Sequence, residues 1–289
     1  MRNIKEKAIF EPPDDRVKKM EKNLMKLCKQ VRDVAREAGE FIRSQSPGLT
    51  PLIVEEKGRH DYVTQVDIGS EKMITERLKK ILPDTGIIGE ETPAVDREKR
   101  LKWIIDPLDG TTNFLHGLPP YSISIALMDG QEVVMGVIHE VTTGDFFYSW
   151  KDAYAYHNGR RIRVSSTPTL KESLLATGFP YSSFDRIDGY MGTMRYFMEH
   201  TRGIRRMGSA AIDLSYLACG HFDGFWEYGL KIWDVAAASL IIQQAGGMIS
   251  DFSGGNNFLE GKEIVAANPF IFPGFLKQVQ LHMNVKTNT

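Results

Sequence analysis

The sequence predicts a layered α+β fold, and three features of its hydrophobic pattern point there. Apolar residues at Met20, Leu24, Leu27, Val31, Val34, Ala38 and Phe41 recur in steps of four and three, the signature of one long amphipathic helix. Between Gly86 and Ser149 short β-rich runs follow one another with turn residues between them. Helices and strands come in clusters and do not alternate strictly, which favours helix layers on sheet layers over a doubly wound parallel sheet.

Each element follows from local chemistry. The first helix stops near Ser44 to Pro47, and the polar stretch Ile53 to Gln65 reads as a loop leading into a short strand at Tyr62 to Val66. A second helix is expected from Asp67 to Leu82, with Asp67 as a possible cap and Pro83 as its stop. Strands follow at Gly86 to Gly89, Lys102 to Ile105, Ser122 to Met128, Val133 to His139 and Gly144 to Ser149, with Asp129-Gly130 as a hairpin turn. The second half mixes further strands with helices at Tyr190 to His200, Ser209 to Gly220 and Asp234 to Ala245, the last closed by Gly246-Gly247. The chain of 289 residues, 42% hydrophobic, can build one large core or two smaller ones, so 14–150 and 151–289 are expected to pack as one compact unit.

Composition narrows the function. A net charge of -1 offers no basic excess for neutralising phosphate backbones, so nucleic acid is not expected as the principal partner. Cys28 and Cys219 lack CxxC spacing, which suggests neither a disulfide framework nor a zinc site. The leader through Pro12-Pro13 has no apolar core of signal-peptide length, and no run of about 18 apolar residues occurs, so no membrane association and a cytoplasmic location are expected.

The chemistry concentrates where acids end apolar runs. In IIDPLDGTTNF, Asp106 and Asp109 stand three residues apart in a turn built by Pro107 and Gly110, and two hydroxyls, Thr111 and Thr112, follow at once. Two like charges so close need something to hold them, and a pair of divalent cations is the candidate. Carboxylates and the Leu108 carbonyl suit a hard cation, while the Gly110 and Thr111 amides can cradle a phosphate. Acids also close the runs at Ile87-Ile88-Gly89-Glu90-Glu91, Ile232-Trp233-Asp234 and Val63-Thr64-Gln65-Val66-Asp67. Each alone reads equally as a strand end or a helix cap; four together exceed what capping needs.

At these residues the sequence resembles the inositol monophosphatase family of magnesium-dependent sugar phosphatases. The resemblance is carried by GEE at Gly89 to Glu91, DPLDGTTNF at Asp106 to Phe114 and WDVAAA at Trp233 to Ala238. It is carried further by VTQVD at Val63 to Asp67, GIRRMGSAA at Gly203 to Ala211 and IVAAN at Ile264 to Asn268. It implies an αβαβα sandwich, a homodimer and two or three Mg²⁺ ions. It assigns Glu90, Asp106, the Leu108 carbonyl, Asp109 and Asp234 to the metals, with most of these ligands in 14–150. Asp67 and Thr111, aided by the metal at Glu90, would activate the attacking water. Gly110, Thr111 and Thr112 would hold the phosphate. Asp109, Ser209, Ala210, Glu227 and Asp234 would face the rest of the substrate.

The implied activity is hydrolysis of a small phosphorylated polyol, with inositol monophosphate first and fructose 1,6-bisphosphate or histidinol phosphate as alternatives. Glu227 suits neighbouring hydroxyls or a positively charged amine. Arg205-Arg206 would meet a second phosphate or serve the structure, and Lys57 falls in the flap that the family places near its metals. A regulatory binding protein with vestigial catalysis is the non-enzymatic alternative.

Overall fold

The first helix, α1 (Asp15–Ser44), turns the predicted apolar stripe inward, burying Cys28, Val31, Val34, Ala38 and Ile42. In this computed structural model the described residues are 15–45, 54–58, 61–180 and 184–283. The leader through Pro13 and the helix stop at Pro47 lie outside them, as do the side chains of Met20 and Lys57. The strand expected at Tyr62 to Val66 is β2 (Asp61–Thr64), and the stretch before it, read as a loop, supplies β1 (Val54–Gly58), which pairs with it as a hairpin; the short polar run carries no clear alternation there.

Helix α2 (Gln65–Ile81) begins two residues before the expected start. Its N-cap is Thr64 and not Asp67: the Thr64 hydroxyl accepts from the Val66 and Asp67 amides, while the Asp67 carboxylate takes the Thr64 amide. Thr-x-x-Asp is thus a capping box, and Asp67 sits in the first turn with its second oxygen free to act elsewhere.

Then come β3 (Gly86–Gly89), β4 (Leu101–Asp109), the short α3 (Thr111–Leu115), β5 (Ser122–Asp129), β6 (Glu132–Glu140), β7 (Phe146–Trp150), β8 (Tyr156–His157) and β9 (Arg160–Arg161). These strands form one seven-stranded sheet in chain order, antiparallel except for the β3–β4 pair, and Lys151 lies within it between β7 and β8. Beyond it the chain runs through β10 (Leu174–Thr177), α4 (Ile187–His200), β11 (Gly203–Arg205), α5 (Ala210–Ala218) and β12 (Gly224–Tyr228). It finishes with α6 (Ile232–Gln244), β13 (Met248–Ser250), β14 (Glu263–Ala267) and α7 (Phe272–Met283). The second sheet has five strands in the order β11-β10-β12-β14-β13.

The layers are αβαβα. Helices α1 and α2 cover the outer face of the first sheet, α5 and α6 lie between the sheets, and α4 with α7 covers the far face of the second. Three cores fill the four spaces between layers: one around Trp103, one on both sides of α5 and α6, and one around Trp226. Because α6 is squeezed between sheets, its helix is apolar nearly all round, which its Ala-Ala-Ala-Ser-Leu-Ile-Ile run allows. Close approach is strict at one point, where a Cβ on Gly136 of β6 would meet the Ala237 carbonyl of α6 at 2.5 Å.

Candidate active site

Strand β4 shows why its two acids stand three residues apart. In a regular strand, residues at that spacing point to opposite faces. Here Asp106 pairs with Ser124 and Asp109 with Ser122, so Pro107 and Leu108 together oppose one residue of β5. This β-bulge inserts the extra residue that brings both carboxylates to the same face. That face looks toward the inner helices: Ser122 Oγ lies 3.1 Å from Ser209 Oγ, and Ser124 donates to the Trp233 carbonyl at 3.1 Å. Pro107 suits the bulge because it has no amide to leave unpaired.

Four acids converge there. Asp106 is 1% exposed, and beyond burial itself the charges of Glu90, Asp109 and Asp234 all push its carboxyl well above the usual range. Asp106 is in hydrogen-bonding contact with Glu90 and with Asp234. Burial also raises Asp109, offset by the Ser209 hydroxyl at 2.6 Å and the Ala211 amide at 2.8 Å. Asp234 does not cap α6. Lys231 holds that position, and the Asp234 carboxylate in the first turn accepts the Lys231 amide at 2.6 Å.

These acids can all ionise together only beside positive charge, so the donor set fits hard divalent cations. Among the described residues no three such side chains already stand as a closed cage. An octahedral ion completed by water and substrate oxygens needs none. Glu90, Asp106, Asp109, Asp234 and the Leu108 carbonyl could hold it.

Asp67, from the first turn of α2, reaches the same place. Its Oδ1 accepts from the Thr111 hydroxyl at 2.9 Å, and that hydroxyl also lies 3.0 Å from the Leu108 carbonyl. Burial pushes the Asp67 carboxyl up, while hydrogen bonds from Thr64 and Thr111 pull it back. Gly110 sits before α3 at φ +95°, where any side chain would be strained. It turns the chain so that Thr111 and Thr112 line the cavity with Gly110 itself.

The cavity measures about 200 Å³. This is below the roughly 300–1,000 Å³ of sites for drug-sized ligands, so a small ligand is indicated. Ala210 and Glu227 also line the cavity. Ser209, 1% exposed, also caps α5 by accepting the Ile212 amide, and its hydroxyl donates a hydrogen bond to Asp109.

Several residues in or against the cavity carry little signal in the sequence. Asp213 of α5 lines the cavity, and its Oδ1 has no hydrogen-bond partner in the structure; burial and the charge of Asp109 push it well up. An acid inside Ala-Ala-Ile-Asp-Leu is the available sign of it. Asn113 donates to the Pro120 and Met207 carbonyls, both at 2.8 Å, tying the turn after β4 to the loop before α5. Ser70 and Glu71 of α2 also touch segments of the site.

The model of the family described as "Inositol monophosphatase family" matches residues 23–284. Nus factor SuhB of Pseudomonas aeruginosa is 41% identical over 86% of this chain and 94% of its own. An inositol-1-monophosphatase of Mesorhizobium japonicum is 38% identical over 87% and 95%. Among solved structures, the extragenic suppressor protein suhB of Bartonella henselae superimposes with a TM-score of 0.83 at 37% identity, covering 90% of this chain and 98% of that one. An inositol monophosphatase from Anabaena gives 0.80 at 30% identity, with 90% and 97% covered. A bulged pair of acids, a carboxylate-bound threonine and this match over nearly the whole chain together mean that the protein belongs to the inositol monophosphatase family of phosphoric monoester hydrolases.

Proposed function

We propose that the chain is a Mg²⁺-dependent phosphomonoesterase acting on a small phosphorylated polyol, with inositol monophosphate as the leading substrate. The observation that carries this is the convergence of Glu90, Asp106, Asp109 and Asp234 on one small cavity beside the Asp67–Thr111 pair. Two or three Mg²⁺ ions held by these carboxylates and the Leu108 carbonyl would neutralise phosphate oxygens, acidify water and steady the leaving alkoxide.

The chain's own groups do the rest. Thr111 aims the attacking water and passes its proton to Asp67, whose other oxygen is anchored by the Thr64 amide at 2.8 Å and so cannot swing away. Gly110 and the start of α3 present amides and hydroxyls to the phosphate. At the far wall Glu227 and Asp213 receive alcohol hydroxyls, with Arg206 beside them. Two carboxyls there suit a polyol better than a second phosphate, which ranks fructose 1,6-bisphosphate below inositol monophosphate. A homodimer in the cytoplasm completes this reading, and sedimentation checks the dimer.

The test is phosphate release, with Mg²⁺ and with EDTA, from myo-inositol 1-phosphate, fructose 1,6-bisphosphate and histidinol phosphate. Metal-dependent turnover with inositol phosphate preferred supports the reading; no release from any of them sinks it. Relatives named Nus factor SuhB favour a second role as a binding factor. An Asp106→Asn protein that still replaced the wild type in cells would separate that role from catalysis.

A further inference from the structure

Helix α2 meets the site at more than Asp67. Ser70, fully buried, donates its hydroxyl to the Pro107 carbonyl at 3.1 Å, inside the bulge that aligns Asp106 with Asp109. Glu71, also fully buried, accepts the Glu91 and Thr92 amides at 2.9 Å each and the Thr92 hydroxyl. Gly89 presses on the same carboxylate from the other side, where a Cβ would lie 2.5 Å from it. The turn that carries Glu90 is therefore wrapped around Glu71: the residue before Glu90 packs on it, and the two residues after donate to it.

Residues 67, 70 and 71 have the spacing of one helix face. That face touches Thr111, the Pro107 carbonyl and the Glu91–Thr92 amides, one contact for each segment that has to converge. The segment bearing Glu90 needs such support most. Strand β3 has four residues and lies at the edge of its sheet, held by β4 on one side and by a single bridge between Ile87 and Val95 on the other. Beyond Gly89 the ladder ends, and the contacts to Glu71 continue where it stops.

We propose that Ser70 and Glu71 are positioning residues: through them one rigid helix sets the offset between the water-orienting Asp67 and the metal-binding groups Glu90, Asp106 and Asp109. The inference rests on the metal-phosphatase reading above. Partners of this kind typically change metal affinity by 10–100-fold when removed. A role in packing alone would lower stability and leave that affinity where it was.

The experiment is calorimetric titration of the full chain with Mn²⁺, alongside the Mg²⁺ dependence of phosphate release. For Glu71→Gln, the Mn²⁺ Kd and the Mg²⁺ half-saturation concentration should both rise about 10–100-fold. Saturating Mg²⁺ should recover the part of the turnover lost through empty metal sites, because mass action restores occupancy, and the drop in kcat that remains reports the altered offset to Asp67. Ser70→Ala should shift both constants in the same direction by less. Should Glu71→Gln fail to fold, Thr92→Val carries the test: at an exposed position it removes one of the donors to Glu71, and both constants should rise several-fold. Unchanged Mn²⁺ affinity in the folded variants overturns the positioning role alone. Wild-type protein that neither binds Mn²⁺ nor releases phosphate overturns the underlying reading as well.

Discussion

The proposed function gives the cavity a phosphate end and an alcohol end, and the two are built differently. At the phosphate end the acids are fixed by partners: Asp67 by Thr64 and Thr111, Asp109 by Ser209 and Ala211, Asp234 by Lys231. At the alcohol end Asp213 keeps one buried oxygen without a partner, and Glu227, 6% exposed, is pushed well up by burial and by the charge of Asp213. The first end is preorganised, as stabilising a developing charge requires. The second is unfinished until a ligand supplies donors, which is how a buried carboxyl discriminates between alcohols.

Substitutions at the phosphate end should therefore cut turnover, and those at the alcohol end should alter selection. The largest effect belongs to Asp106→Asn, which removes charge from the centre of the acid cluster with little change in shape. Turnover should fall by several orders of magnitude while the melting temperature holds or rises, since like-charge repulsion is relieved. A near-normal rate would dissolve the contrast between the ends. Next, Thr111→Val should lower kcat about 10²–10⁴-fold with KM nearly unchanged, because it breaks the proton path to Asp67 without touching the alcohol wall. Steady-state kinetics at saturating Mg²⁺ reads both quantities.

At the other end Asp213→Asn should leave kcat for p-nitrophenyl phosphate near wild type. It should change kcat/KM for inositol phosphate by about 10-fold, the worth of one buried hydrogen bond. Equal losses on both substrates would assign Asp213 to structure and not to selection.

The same contrast explains what is legible in the sequence. The phosphate end can be read because its groups are contiguous: Asp106 to Thr112 lie in one turn, and the local chemistry of Pro, Gly, acids and hydroxyls is unusual there. Their alignment is hidden, since only the pairing with β5 reveals the bulge. Asp67 and Asp234 are recognisable as helix-start acids, but neither is the cap: both sit in the first turn and return a carboxylate to the N-cap amide. Thr64-x-x-Asp67 carries that signal, whereas Lys231 is a poor cap that no propensity would choose. Asp213, Ser70 and Glu71 do not stand out because their partners are distant in sequence, and a lone acid on a helix reads as solvated surface until the neighbouring layer is placed. The clustering of elements implies that helix layers pack on sheet layers, but the αβαβα order comes from the family resemblance, and the β1–β2 hairpin is obscured for want of alternation.

The last test asks whether buried ionisable groups away from the cavity behave differently from those within it. His139 of β6 is 1% exposed, stacked on Phe146 with ring centroids 4.1 Å apart; Nδ1 lies 3.2 Å from the Asp145 carbonyl, and Nε2 has no hydrogen-bond partner. Burial pushes its pKa down to about 4, the Asp145 carbonyl and Glu140 pull it up, and Arg43 and Arg36 of α1 add to the downward push. The folded protein thus holds the neutral imidazole, while the unfolded chain takes a proton near the ordinary value of about 6.5. Below that pH the unfolded state binds more protons, so this contribution to stability is whole above about 6.5 and is lost as pH falls toward 4, up to about 3 kcal/mol. Asp213 and Glu227, raised by burial, have the opposite sign and gain relative stability over the same descent. The wild-type profile mixes both signs, so the comparison has to be made between variants. His139→Gln should be less stable than wild type at pH 7.5, yet the gap should close between pH 6.5 and 4 in denaturant titrations. A gap that stays constant with pH would mean that the imidazole is not held neutral, and that the cavity acids alone govern the acid response.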